Sequence, residues 1–135
     1  MPSFVCARES SLPVAEFHRV LVESGLGAIR PVDDMARLQQ MLDGANLVVT
    51  ARRQGTLIGV ARCISDFAWC CYVSDLAVSP TAQGLGVGKA LLDETRRMNG
   101  PNVSVILLSV ADAVGFYERI GMQRMPDAFW FRRER

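Results

Sequence analysis

Apolar positions recur at two periods along this chain, and the switches between them mark its elements. Ser3 to Ala7 is a short apolar run suited to an edge strand. Val14, Phe17 and Leu21 then fall three or four apart, the spacing of one helical face. Pro13 suits the first turn of that helix, Ser10 or Ser11 can cap it, and it ends at Ser24 before Gly25. Gly25 to Pro31 shows no period and carries two glycines, so it reads as a mobile connection. Asp33 or Asp34 can cap a second helix whose stripe is Met35, Leu38 and Leu42, up to Gly44.

The middle of the chain changes period. Leu47 to Arg52 and Leu57 to Ile64 are Val- and Ile-rich runs around Gln54-Gly55, the pattern of a hairpin, and Trp69 to Val78 supplies the next strand. Helical spacing returns from Gly86 to Met98, where Val87, Leu91, Thr95 and Met98 share one stripe while Lys89, Asp93, Arg96 and Arg97 face away. Asn99-Gly100-Pro101 stops that helix. Val103 to Val110 is continuous enough for a buried strand, and the helical crossover before it predicts parallel pairing. Asp112 can cap a last helix carrying Phe116 and Tyr117 and ending at Gly121, after which Met122 to Met125 and Ala128 to Phe131 read as strands that finish the sheet. The pattern is α/β in the α+β sense: a mixed, mostly antiparallel central sheet with helices on both faces.

Composition narrows this further. A chain of 135 residues, 50% apolar, suffices for one core, so residues 1–135 read as a single domain. Fifteen Lys and Arg against fourteen Asp and Glu leave a formal charge of +1, which offers no field for nucleic acid or a membrane surface. No stretch approaches the ~20 apolar residues of a membrane span and the start lacks an apolar signal core, so a cytoplasmic protein is expected. Cys6, Cys63, Cys70 and Cys71 lie in apolar strand contexts without metal-ligand spacing; they read as buried free thiols, and no metal is expected.

The chemistry concentrates where the strand ending Leu76-Ala77-Val78 runs through Gln83-Gly84-Leu85-Gly86-Val87-Gly88-Lys89 into a helix. Glycines at a helix N-terminus present unencumbered amides to an anion, so a phosphate-bearing ligand is expected. A Walker A loop is excluded by spacing and by Ala90, which stands where a metal-binding hydroxyl would be needed. A dinucleotide-binding turn is excluded because the pattern is G-x-G-x-G and comes late in the chain. Gln83, two residues, Gly86, one residue, Gly88 closely resembles the coenzyme A loop of the GNAT family of N-acetyltransferases. Ala113-Val114-Gly115-Phe116-Tyr117-Glu118-Arg119-Ile120-Gly121-Met122 resembles the family's later A-x-x-F-Y-x-x-x-G-F segment, with Met122 for the usual Phe.

The resemblance implies a fold covering the whole domain and acetyl-CoA as co-substrate. It implies that the backbone of Leu76, Ala77 and Val78 pairs with the pantetheine arm and that amides from Gly84 to Lys89 hold the pyrophosphate. Tyr117 is then the candidate general acid, a phenol protonated at neutral pH that can donate to the departing thiolate. The family's common carboxylate position, eleven residues before the loop Gln, is Tyr72 here, a poor base. Asp75 is the nearest carboxylate in the strand and the candidate base; strict alternation puts it on the opposite face from Tyr72, and a structural role is the alternative. The segment from Gly25 to Pro31, Ile29 included, is the candidate lid over an acceptor that Trp69 and Tyr72 could also line. A small-molecule or protein amine is the expected acceptor, and a homodimer is possible. The competing reading is a non-catalytic acyl-CoA-binding sensor or partner module on the same fold.

Overall fold

The computed structural model describes residues 3–135. Strand β1 (Val5–Arg8) is followed by helix α1 (Val14–Ser24), a 3-10 turn at Leu26–Ile29 and helix α2 (Met35–Gly44). Strands β2 (Leu47–Arg53), β3 (Thr56–Ser65) and β4 (Cys70–Val78) then lead through a 3-10 turn to helix α3 (Val87–Asn99), strand β5 (Ser104–Leu107) and helix α4 (Val114–Arg119). The strands form one sheet in the order β1-β2-β3-β4-β5, antiparallel except for the parallel pair β4/β5. This is the mixed, mostly antiparallel sheet that the patterning predicts.

Two apolar clusters flank the sheet. On one face Phe17, Val20 and Leu21 of α1 and Leu38 and Leu42 of α2 bury against Val48, Leu57, Val60 and Ala77. On the other, Val87, Leu91 and Leu92 of α3 bury against Leu47, Val49, Ala61, Cys63, Cys71 and Val73, with Phe116 and Tyr117 of α4 packed alongside. Gly59 is required here: a Cβ would sit 2.8 Å from Val87 Cγ1, so α3 could not approach β3. The predicted stripes of α1 and α3 are thus the faces that fold inward.

Several local expectations are corrected. Pro13 is the N-cap of α1, not a first-turn residue; its carbonyl accepts from Glu16 and Phe17 N–H, and no serine caps. Asp34 caps α2 through Arg37 N–H at 3.0 Å, but Met35 turns outward, while Asp112 lies within the 3-10 turn Ala111–Ala113 and caps nothing. Strand β5 stops at Leu107, short of Val110. Met122–Met125 and Ala128–Phe131 are not strands: Phe129 and Phe131 project into solvent, because an apolar run becomes a strand only with a neighbouring edge to pair with.

One polar clamp closes the β1 side. Arg52 bonds Glu9 at 2.7 Å and Glu16 at 2.8 Å, tying the end of β1 and the start of α1 to β2. Hydrogen bonds from Arg52 hold both carboxyls below the usual range. A depressed carboxyl contributes stability that is present above its unfolded pKa and lost as pH falls through its folded pKa. Arg52→Met is therefore expected to cost about 1 kcal/mol at pH 7, as these groups are partly solvated, and progressively less as pH falls through the depressed pKa values of the two carboxyls. Thermal melts of the two proteins across that range check it; a gap that persists in acid would assign the loss to packing.

Candidate active site between the splayed strands

The site begins with a strand that changes phase. β4 pairs with β5 only from Cys70 to Val73, and beyond that point the two strands part. At the same place the β3/β4 register slips: Cys63 faces Val73 while Arg62 faces Asp75, leaving Ser74 as the extra residue of a bulge. Before the bulge Cys71 and Val73 face the α3 side; after it Leu76 and Val78 take that side, and Ala77 faces α1 and α2. The outer edge of Ser74–Val78 is left without a strand partner, an open row of backbone groups along a gap.

That gap is a cleft of about 850 Å³. Leu76, Ala77 and Val78 line one wall and Val110, Ala113, Phe116 and Tyr117 the other. Gln83, Gly84, Gly86, Val87 and Gly88 close one end, and Leu26, Ala28 and Ile29 overhang it from the α1–α2 connection. Asp112 and Arg119 are the charged residues of the lining; the sequence offers Asp112 only as a helix cap and Arg119 only at an unspecified position of the A-x-x-F-Y segment. A second cleft, about 830 Å³, runs along the outer edge of β5 below α3 and contains none of the candidate catalytic, coenzyme or acceptor residues.

The glycine loop serves three separate needs. Gly84 and Gly86 have φ of 86° and 80°, the left-handed region, and a Cβ on either would meet only open space. Gly88 is helical, but its Cβ would lie 3.0 Å from Phe116 Cζ, so it lets α4 pack on the start of α3. Ala90 N–H bonds Gly86 O at 3.0 Å and no side chain caps α3, which leaves the amides of Val87, Gly88 and Lys89 directed out of the helix start. Leu85 drops out of the expected set of free amides, because its N–H bonds Ala82 O. The Gln83 side chain donates to Val78 O at 3.3 Å and fastens the loop to the end of β4, while Lys89 pairs with Asp93 on the exposed face of α3. Free amides at a helix N-terminus suit this end to an anion such as a pyrophosphate.

Tyr117 stands in the opposite wall, its ring edge-on to Phe116 at 5.1 Å. Burial pushes its phenol above the ordinary value, so it stays protonated throughout the neutral range.

Three expectations for the acceptor side change. Asp75 is wholly buried, with Oδ1 bonded to Arg30 Nε at 2.5 Å and Oδ2 to Arg62 Nε, so neither oxygen is available as a base. The bulge turns it to the same side of the sheet as Tyr72, contrary to strict alternation. Trp69 and Tyr72 do not line the cleft: Trp69 precedes β4 and lies roughly 23 Å from Leu76 along a strand rise of ~3.3 Å per residue, and Tyr72 faces away beside Ile64 and Ile106. The Gly25–Pro31 connection is a built turn, with Ala28 N–H on Gly25 O, Arg30 N–H on Gly27 O and the Arg30 side chain anchored on β4. Gly27 packs so closely that a Cβ would come within 3.1 Å of Leu21 O. Of the three proposed acceptor residues, Ile29 alone reaches the cleft.

Comparison with known proteins agrees with this geometry. The profile of the acetyltransferase (GNAT) domain family matches residues 23–131. An uncharacterized N-acetyltransferase, ycf52, of Pyropia yezoensis is 32% identical over 83 residues, 57% of this chain and 48% of that protein. Serotonin N-acetyltransferase 2, chloroplastic, of Oryza sativa subsp. japonica is 29% identical over 132 residues, 93% of this chain and 64% of that one. This chain spans about half the length, or less, of the curated relatives it matches first. A crystal structure from Deinococcus radiodurans R1, assigned as an acetyltransferase, superposes with a TM-score of 0.76 at 27% identity, covering 97% of this chain and 89% of that one.

Proposed function

Since this chain belongs to the GNAT acetyltransferase domain family, we propose that it transfers an acetyl group from acetyl-CoA to a primary amine of a small molecule or protein. The carrying observation is the cleft itself, which has free helix-start amides at one end and the Tyr117 phenol in the wall opposite an unpaired strand edge. The pantetheine arm extends along Leu76–Val78 and its pyrophosphate meets the amides of Val87, Gly88 and Lys89. The unprotonated amine nitrogen attacks the thioester carbon, the C–S bond breaks, the sulfur takes a proton from Tyr117, and the tyrosinate regains its proton from water. With Asp75 occupied by two arginines, the amine loses its proton to water rather than to a carboxylate in the strand.

No partner other than the acceptor and, in a homodimer, a second copy is proposed. Among the described residues no helix is long and apolar enough to cross a membrane. The cysteines stand unpaired there, which suits a reducing compartment; we take this to be the cytoplasm, although the rice relative is chloroplastic by name.

Acetyl-CoA is expected to raise the unfolding free energy by ~2.7 kcal/mol at a hundredfold excess over its Kd, with NAD or ATP plus magnesium doing far less. Thermal melts with each ligand check this; equal shifts from ATP would return the loop to the nucleotide class. The activity itself is tested by free CoA release over an amine panel containing serotonin, spermidine, an aminoglycoside and a lysine-bearing peptide. Binding without release from any of them would favour the non-catalytic module.

A further inference from the structure

We propose that Arg30, Asp75 and Arg62 are positioning residues that set the acceptor-side wall of the cleft, a role that rests on the acetyltransferase reading. Asp75 carries one guanidinium on each oxygen, Arg30 on Oδ1 and Arg62 on Oδ2. Each arginine then continues to a different element. Arg30 donates to Ser74 O at 2.8 Å and to Ile29 O at 3.0 Å, joining the end of the Leu26–Ile29 turn to the bulge in β4. Arg62 donates to Ser74 Oγ at 2.8 Å and to Met41 O at 3.2 Å, joining that bulge to α2. Ser74, where β4 parts from β5, is therefore held through both its backbone and its side chain.

Two features separate this arrangement from ordinary packing. Burying the Asp75 carboxylate with the Arg62 guanidinium, and half-burying Arg30 beside them, is costly, and apolar side chains of similar volume commonly stabilise a core as well or better, so bulk alone gives no reason for the triad. Among the described residues, the triad makes no hydrogen bond or ion pair to the glycine loop. What it fixes is the distance between the wall at Leu76–Val78 and the apolar overhang of Leu26, Ala28 and Ile29, which is the dimension an incoming amine must fit. The cleft is thus assembled in two independent halves, a coenzyme end held by backbone geometry and an acceptor end held by charge.

The test uses Arg30→Met, which leaves Asp75 paired with Arg62, and Arg30→Lys, whose ammonium keeps the charge but cannot make the forked contacts. Three quantities are read: the acetyl-CoA Kd by calorimetry, hydrogen exchange at the Leu26 and Ala28 amides, and steady-state constants with the best amine of the panel. In Arg30→Met the Kd is expected to stay within about threefold, amide exchange to speed about tenfold or more, and KM for the amine to rise about tenfold with kcat within about threefold. Arg30→Lys should fall between the two. Unchanged exchange, or KM for amine and for acetyl-CoA rising together, overturns the proposal. If the wild type acetylates no amine, the catalytic reading fails separately, and the brace then stands or falls on faster exchange at unchanged Kd.

Discussion

Tyr117→Phe is expected to slow acetyl transfer by about 10²–10⁴-fold while acetyl-CoA affinity stays within a few-fold, the usual worth of a positioned general acid. The substitution removes one hydroxyl and keeps the ring that packs edge-on to Phe116, so the wall of the cleft survives. Single-turnover measurement is the suitable readout, because it isolates the chemical step from product release. The pH profile supplies an independent check. Burial raises the Tyr117 pKa above its ordinary ~10, so the donor stays protonated to higher pH than a free phenol, and no alkaline loss of rate below pH ~10 should trace to it. A Tyr117→Phe protein with wild-type single-turnover rates would remove the phenol from the mechanism and leave the coenzyme end untouched.

The second large effect is at Gly86. Gly86→Glu should weaken acetyl-CoA binding about a hundredfold or more, since its carboxylate can occupy the helix-start amides that the pyrophosphate needs and repels the phosphates as well. Part of the change is conformational: at φ 80° any side chain costs about 1–2 kcal/mol of stability. Gly86→Ala carries the same backbone penalty without the charge and should retain binding within about tenfold, because its Cβ points into open space. Calorimetric titration of the two folded variants separates strain from blockade. Equal affinities for Glu and Ala at this position would place the pyrophosphate elsewhere.

What could be read from the chain alone follows from how local each determinant is. The β2/β3 hairpin was legible because Gln54 and Gly55 take the left-handed conformations that a tight turn demands, and α3 because its stripe repeats over three turns. The glycine-loop end of the cleft was legible for the same reason, being a contiguous loop whose glycines report backbone geometry. The acceptor end was not. Arg30 is an isolated charge in an aperiodic stretch, and its partners Ser74 and Asp75 lie more than forty residues away in the chain. Trp69 and Tyr72 had the right composition for a pocket, but which end of a strand meets the cleft is decided by where β5 departs. The last aromatic residues show the same limit, since Phe129 and Phe131 have strand character and no edge to exercise it on.

Ser74 has a consequence for anyone who edits or threads this sequence. As the extra residue of the bulge it inverts the reading frame of β4, so that core-facing positions are odd-numbered before it and even-numbered after it on the α3 side. Strict alternation with Ser74 kept in the ladder would offer two discordant outcomes: either the segment before it keeps its phase and Asp75 is driven in among Val73, Leu91 and their neighbours, or the segment after it does and Cys71 and Val73 are turned out of the core. Deleting Ser74 would instead join Val73 to Asp75 with both segments facing as they do, at the loss of the carbonyl and hydroxyl that Arg30 and Arg62 bind. An insertion count at a single position thus governs which amino acids are tolerated along the whole strand, and swaps between related chains will be safe only between partners that carry the same bulge.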